Sequence, residues 1–507
     1  MRGAKTRFAL LEPSSLRVRL AAHRGLIVVL VLATMARVGA SVAYWPALFF
    51  SDSWQYLNLA FSRFPVGIAP SRPSGYPLLL RLLSAPGHDF ALVVVLQHVA
   101  GLGTGVLVYA LCLRLGVARR VAVLAAAVVI LDAYAIALEQ HIMAESFFEL
   151  ALAAVMLLTI SRGERTRPLV LAGGLLAITV TLRTAALFVI PVWLVYLLWS
   201  GVGRRRLLAG AAAVLVPLFA YSALHYVHTA GSFGLQQAQG WFLYGRVEAI
   251  ADCRGAAIPP ATRPLCVADA RARAAPSPDF WIWSPQSPAE RLFGGNPDFY
   301  VGDGGYGHFQ TARDDALLQS YALAIIARHP LVYARTVSAD FARFFDPRAR
   351  PDSNDDGVNV TFPRALGVAA ANVPARNRYF PSYVPRVRWP SALLRSYQRI
   401  FHAPRLLLGL LTLGALLALL APLIPARRLQ AGRRPEIFLL SGSGVAILLA
   451  SAMLVAFVVR YLIPEIPLLL CGGVTAVNEL IRAMRRTAPN GSHPPAVDPR
   501  EAGESSC

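Results

Sequence analysis

Charge is scarce in this chain, and lysine is almost missing. Asp, Glu, Lys and Arg make up 15% of 507 residues, and Lys5 is the single lysine beside many arginines. An ordinary soluble domain is excluded. The residues are 56% hydrophobic, and several apolar runs reach about 18 to 24 residues, the length that crosses roughly 30 Å of hydrocarbon as a helix. The lysine shortage, with abundant Ala, points to a GC-rich bacterial genome and says nothing about chemistry. Cysteine is sparse too: Cys112 and Cys471 fall in apolar runs and Cys507 in the tail, so the sequence holds no zinc-type cluster. No clear repeat of spans is present, which argues against a transporter built from duplicated halves. A signal peptide would show a shorter apolar core and an A-x-A-like cleavage site before a soluble domain, so the first apolar run is expected to stay as a span.

What is present is a pattern of about ten apolar segments, at roughly 25–48, 90–113, 120–138, 143–160, 168–182, 185–200, 207–228, 403–424, 436–459 and 461–480. Short cytoplasmic loops collect Arg, and every second connection does so. With the N-terminus inside, the inner segments carry Arg114, Arg119 and Arg120; Arg162, Arg165 and Arg167; Arg204 to Arg206; Arg427, Arg428, Arg433 and Arg434; and Arg482, Arg485 and Arg486. These loops account for most of the net charge of +21, which reads as anchoring to anionic lipid headgroups and not as nucleic-acid binding. The expected organisation is a basic cytoplasmic tail (1–24), a membrane core (25–228) with a first exported loop (49–89), an exported domain (229–402), the C-terminal membrane helices (403–482) and a disordered cytoplasmic tail (483–507). The fold class is an all-α polytopic membrane protein with a mixed domain inserted before the last three spans. Its expected location is a bacterial plasma membrane, with both termini cytoplasmic.

The exported segment turns sharply to Pro, Asp, Asn, Gly and aromatics (Trp281, Trp283, Phe299, Tyr300, Tyr306), which predicts loops over short elements. The stretch Ala312 to Phe345 differs. Its apolar residues recur at helical spacing, with a break at His329-Pro330, and predict two amphipathic helices lying on the membrane or on the rest of the domain. Cys253 and Cys266 share this segment, where a bridge closing a small loop is chemically permitted. Trp241, Phe242, Tyr244, Trp281 and Trp283 serve either as a small core or as a platform for sugar faces, core being the commoner use. The acidic run Asp352, Asp355 and Asp356 lacks the Gly and Glu positions of an EF-hand and reads as a solvated turn.

Ionisable residues near hydrocarbon tend to mark function, and here they gather on the outer side. Asp52 follows the first span and opens Ser51-Asp52-Ser53-Trp54-Gln55-Tyr56, which reads as a short interfacial helix with Trp54 and Tyr56 at headgroup level. Beyond it come Arg72 and the element Gly75-Tyr76-Pro77-Leu78-Leu79. Asp132, Glu139, His141 and Glu145 cluster about the third connection, and the spacing of His141 and Glu145 predicts a shared helical face. Arg183 lies between the fifth and sixth spans and Arg460-Tyr461 between the ninth and tenth. The alternatives for these residues are plain: a helix-end acid for Asp52 and Glu145, a cap for Asp132, a flanking charge for Arg183 and an interfacial anchor for Arg460-Tyr461.

Four elements in order resemble the GT-C polyprenyl-phosphate-sugar-dependent glycosyltransferases, in the superfamily of the dolichyl-phosphate-mannose-protein mannosyltransferases. They are Asp52 with Tyr56, Gly75-Tyr76-Pro77-Leu78-Leu79, Ala144-Glu145-Ser146-Phe147-Phe148, and Arg460-Tyr461-Leu462-Ile463-Pro464. The resemblance covers about residues 25–200 and 400–480 and stops short of the exported segment. It implies a sugar on an isoprenoid phosphate, attacked by an acceptor hydroxyl at the outer face. Asp52 is then the general base. Arg183, Arg460 and Arg72 bind the donor phosphate, with a divalent metal as the other means of neutralising the leaving oxygens. Tyr56, Tyr76, Glu145, His141 and Tyr461 line the pocket. The first loop offers no second carboxylate near Asp52, which fits a single inverting displacement. Ser53 stands where the protein-mannosylating branch has the second acid of an Asp-Glu pair, which puts protein mannosylation in doubt. The sugar (hexose or pentose, mannose and arabinose among them) and the acceptor (glycan, lipid or protein) stay open. No nucleotide-binding motif is present, which argues against a nucleotide sugar. The rival readings are a transporter or flippase of lipid-linked saccharides, a polymerase or ligase of lipid-linked glycans, and a noncatalytic cell-envelope assembly protein.

Overall fold

The structure, a computed structural model, describes residues 22–49, 51–61, 72–85, 89–160, 165–229, 233–255, 257–266, 278–283, 287–293, 312–349, 361–366, 383–384, 386–421 and 432–487. The basic N-terminal tail, Phe299, Tyr300 and Tyr306, the run Asp352, Asp355 and Asp356, and the C-terminal tail beyond Thr487 lie outside them.

The first helix, α1 (Arg24–Ala43), is apolar almost all round. It buries a stripe at three- and four-residue spacing (Ala33, Arg37, Ala40) and leaves Val28, Val31, Met35, Val38 and Val42 uncovered. Such a surface is tolerated by lipid and not by water. Two short helices, α2 (Ser51–Phe61) and α3 (Gly75–Ser84), follow in the first loop. Then come α4 (Ala91–Arg114), α5 (Arg119–Ile130), α6 (Ala133–Gln140), α7 (Glu145–Ile160), α8 (Arg167–Leu182), α9 (Val189–Trp199) and α10 (Arg204–His228). A break bends α5 and α6 by 45°, and Asp132 caps it: one carboxylate oxygen accepts from Ala135 N at 2.8 Å, the other from Ala403 N at 2.6 Å.

The segment before the last spans holds α11 (Gln239–Glu248), α12 (Pro278–Trp283), α13 (Pro288–Phe293), α14 (Ala312–Arg328), α15 (Pro330–Arg343) and α16 (Ser391–Ile400). No strand occurs among the described residues, so the described part of this domain is helical where a mixed one was expected. Trp241, Tyr244, Trp281, Tyr321 and Ile325 form its core, and a disulfide joins Cys253 to Cys266 beside them. The two helices expected about His329-Pro330 divide the labour. Leu318, Tyr321, Ala322 and Ile325 of α14 enter this core, while α15 packs on the membrane bundle.

The chain ends with α17 (Arg405–Leu420), α18 (Arg434–Leu454), α19 (Val459–Leu462) and, past a 3-10 turn at Ile463–Glu465, α20 (Ile466–Thr487). Among the described residues five helices are long and apolar enough to cross a membrane, or seven when each bent pair counts as one crossing; Arg167–Leu182 and Thr184–Trp199 are shorter apolar helices. Helices occupy all ten expected segments, but length and composition alone support five to seven crossings. In the bundle α4 packs on α5 and α7, α7 on α8, and α8 on α10. The C-terminal set joins through α9 on α18, α18 on α20, and α20 on α4 and α17. This last contact brings the end of the chain against its beginning.

Candidate active site

The loop that carries Asp52 is fixed on both sides. Before it, the Leu48 amide donates to Gln140 O at 2.8 Å and Leu48 O accepts from Ile142 N at 3.1 Å, a parallel bridge between the end of the first span and the break after α6. After it, α3 presses on the end of α8: a Cβ on Gly75 would stand 2.6 Å from the backbone of Thr181, so only glycine allows the approach. Asp52 occupies the first turn of α2, where the helix dipole favours a carboxylate.

Five charged side chains meet there. Arg72 reaches Asp52 at 2.6 Å and also donates to the Gln55 side chain. Arg460, 408 residues further on, takes the other carboxylate oxygen at 2.9 Å and lies 3.6 Å from Glu145 Oε1 through its Nε. Glu145, the first residue of α7, is 2.7 Å from Arg183, which stands in extended backbone between α8 and the following 3-10 turn. Three guanidiniums thus face two carboxylates. Among the described residues the buried Glu145 Oε2 has no hydrogen-bond partner. Burial on its own raises the Asp52 carboxyl, but the charges of Arg72 and Arg460 outweigh it and hold the group below the usual carboxylate range.

Aromatic faces wall the cluster. The Arg72 guanidinium lies 5.2 Å from the Tyr56 ring, Arg183 5.3 Å from Tyr461 and 5.7 Å from Phe148, and Arg460 5.4 Å from Tyr461. Tyr56 meets Tyr76 edge to face at 4.8 Å, and the Tyr76 hydroxyl donates to Gln97 Oε1 at 2.8 Å.

Most of the residues singled out in the sequence therefore converge: Asp52, Arg72, Glu145, Arg183, Arg460, Tyr461, Tyr56 and Tyr76. Three details differ from expectation. Tyr56 is buried against Tyr76 and Arg72 and does not stand at headgroup level. His141 and Glu145 share no helical face, because the chain leaves the helix at Gln140 to pair with Leu48 and re-enters one at Glu145. The His141 ring turns back to the carbonyl of Ala137, 2.7 Å away. A second carboxylate does approach Asp52 through Arg460, supplied by α7 and not by the first loop.

Sequence reasoning missed a second, deeper cluster. Arg37, thirteen residues into α1, binds Glu139 at 2.6 Å and the carbonyl of Ile130 at 2.7 Å. His98 of α4 holds the other Glu139 oxygen at 2.7 Å and faces Gln140 Oε1 at 3.0 Å. Gln97 donates to the carbonyls of Glu139 and His141, at 2.7 and 2.6 Å. The signal was available: an arginine within the first apolar run and a Gln-His pair within the second. Glu139 belongs to this cluster and not to the outer one. Among the described residues no three His, Cys, Asp or Glu side chains converge as a metal site, and Asp52 and Glu145 are each already held by guanidinium.

No protein-family model matches the chain, and no curated protein matches it. Two solved structures do, both of oligosaccharyltransferase from Archaeoglobus fulgidus and both of the GT-C fold that the four sequence elements resemble. One, tethered to an acceptor peptide containing the NVT sequon, is 13% identical, with 92% of this chain and 51% of that chain covered and a TM-score of 0.40. The other, AglB in complex with an inhibitory peptide and a dolichol-phosphate, is 12% identical over 91% of this chain and 51% of that one, with a TM-score of 0.38. The chain spans about half the length of these structures. Superposition is loose, and the chemistry has to be read from this chain's own residues.

Proposed function

We propose that the protein is an integral membrane glycosyltransferase that moves a sugar from a polyprenyl-phosphate carrier to an acceptor hydroxyl on the exported face, with inversion at the anomeric carbon. The observation that carries this reading is the Asp52 carboxylate gripped by Arg72 and Arg460, with Glu145 and Arg183 in the same cluster. One positive charge is in excess, and the guanidiniums are the groups that a phosphate prefers to two carboxylates already shared among them. A donor phosphate taking Arg460 and Arg183 loosens the hold of Arg460 on Asp52 and of Arg183 on Glu145, so that donor binding itself frees one oxygen of the base.

The chemistry then follows. The acceptor oxygen bonds to the anomeric carbon, its proton passes to Asp52, and the bond to the phosphate oxygen breaks with its electron pair. The leaving phosphate is already anionic, so it needs cations and no acid, and the arginines supply them in a site walled by Tyr56, Tyr76 and Tyr461. A retaining route uses two closely spaced carboxylates, and the first loop offers no second one near Asp52, which fits a single inverting displacement. The reading carries with it ten crossings, cytoplasmic termini and a bacterial plasma membrane, which place the cluster at the outer ends of the helices.

The test uses the full chain in nanodiscs, radiolabelled polyprenyl-phosphate sugars and a cell-envelope extract as acceptor, run beside Asp52→Asn. Transfer by wild type alone is expected from one donor and names the sugar. Binding without transfer in either protein contradicts the enzyme and favours a flippase or an assembly role.

A further inference from the structure

Arg460 reaches Asp52 from an open piece of chain. α18 ends at Leu454 and α19 begins at Val459, and residues 455–458 between them belong to no helix. A short link of this kind at the edge of a bundle is free to shift unless something outside it fixes it, and a shift of about 1 Å at a reacting centre is enough to cost activity.

The exported segment supplies the fixing. The end of α15 lies on the link: Phe344, fully buried, meets the Phe457 ring at 5.0 Å, and the Arg343 guanidinium lies 4.4 Å from the same ring. Arg405 approaches that ring at 6.0 Å while donating to the carbonyl of Ala349 at 2.9 Å. At the other end of α15 the Tyr333 hydroxyl donates to the carbonyl of Met453, 2.8 Å away at the end of α18. Phe345 is seated against α17 at Gly409, where a Cβ would stand 3.0 Å from Phe345 Cβ. The same end of α15 is tied to the exported core through Arg246, which binds Asp340 at 2.6 Å, and Asp340 also pairs with Arg343. Phe457 itself is buried, three residues before Arg460.

We propose that the α15 corner is a clamp, gripping the Phe457 ring from the exported side so that the 455–458 link presents Arg460 to Asp52. Phe457, Phe344 and Arg343 are positioning residues that act through Arg460. The proposal gives the exported segment a task in a site that, among the described residues, contains none of its own side chains, and it rests on the functional reading above only for its second readout.

The deciding experiment is a double-mutant cycle on thermal unfolding of the full chain in nanodiscs, with Phe457→Leu, Asp52→Asn and the two together. Leu keeps most of the volume and removes the ring face. If the clamp acts through the Arg460–Asp52 pair, the two Tm losses combine to clearly less than their sum, because each variant undoes the same contact. A merely structural phenylalanine gives additive losses. The second readout is binding of radiolabelled polyprenyl phosphate. Phe457→Leu should weaken it about five- to tenfold, and Phe457→Tyr, which keeps the ring, should restore it. Additive losses overturn the clamp. So does a Phe457→Leu protein that binds the probe as tightly as wild type. A wild type that binds no polyprenyl phosphate sinks the functional reading, and the cycle still decides the clamp.

Discussion

Two buried ionic clusters stand side by side in this bundle and are built to opposite plans. The inner one is closed: Glu139 has both oxygens engaged, by Arg37 and His98, and its partners come from neighbouring helices α1 and α4. The outer one is open. Among the described residues three guanidiniums share two carboxylates, Glu145 Oε2 has no partner, and the members come from residues as far apart in sequence as Asp52 and Arg460. A cluster whose carboxylate is fully engaged uses its charges to hold helices together, even with Arg37 Nε unpaired among the described residues, while a cluster with a cation in excess has capacity left for an anion. The inner cluster also supports the outer one, since Gln97 links the Glu139 and His141 carbonyls to the Tyr76 hydroxyl.

The contrast breaks if the wrong cluster controls transfer. Asp52→Asn is expected to reduce transfer at least a hundredfold, within the range of about 10² to 10⁴ for a lost general base, while insertion and helix content by circular dichroism stay near wild type. The inner cluster answers in stability. Glu139→Leu leaves Arg37 buried without its counter-charge and is expected to cost about 3–5 kcal/mol, read as a lower Tm, and pairing it with Arg37→Leu should recover much of the loss. Gly101→Ala sharpens the point without touching a charge, because its Cβ would fall 1.9 Å from Glu139 Oε1; it should lower Tm in the same direction.

How much of this was legible in the sequence follows from the same division. Asp52, Glu145, Arg183 and Arg460 were readable because each stands at the end of an apolar run, where a charge is conspicuous. Their pairing was not, since no spacing rule links residues 408 positions apart. Arg37 and His98 were overlooked although they interrupt apolar runs, because a pattern that scores whole spans averages over a single charge. The break at 141–144 was misjudged for a physical reason: helical spacing persists through it, and what unwinds the chain is a backbone bridge to Leu48 from another segment. The helices themselves were legible, and the number of crossings was less so, since bends at Leu131 and near His402 cut two runs short.

The smaller effects are those of pH. Asp52 titrates below the usual carboxylate range, so its paired form contributes stability above the unfolded value of about 3.9 and loses it as pH falls through the folded one. Transfer should therefore show no acid limb from Asp52 between about pH 5 and 8. In the core built on Trp241, Tyr244 and Tyr321 the sign reverses. Burial pushes the Glu248 carboxyl up to about 7, against the hydrogen bond from Tyr321 at 2.8 Å. Its contribution is full below the unfolded value of about 4.3 and fades as pH rises through about 7, so the Tm of this segment should fall over that interval. Glu248→Gln should flatten the dependence.

The most direct measurement is equilibrium binding of radiolabelled polyprenyl phosphate to the full chain in nanodiscs, comparing wild type with Arg460→Gln and Arg183→Gln from the outer cluster and with the Arg37→Leu, Glu139→Leu pair from the inner one. An outer cluster that holds phosphate predicts affinity about tenfold weaker or more for each of the first two and near wild type for the inner pair. Unchanged binding in both outer variants would contradict the account.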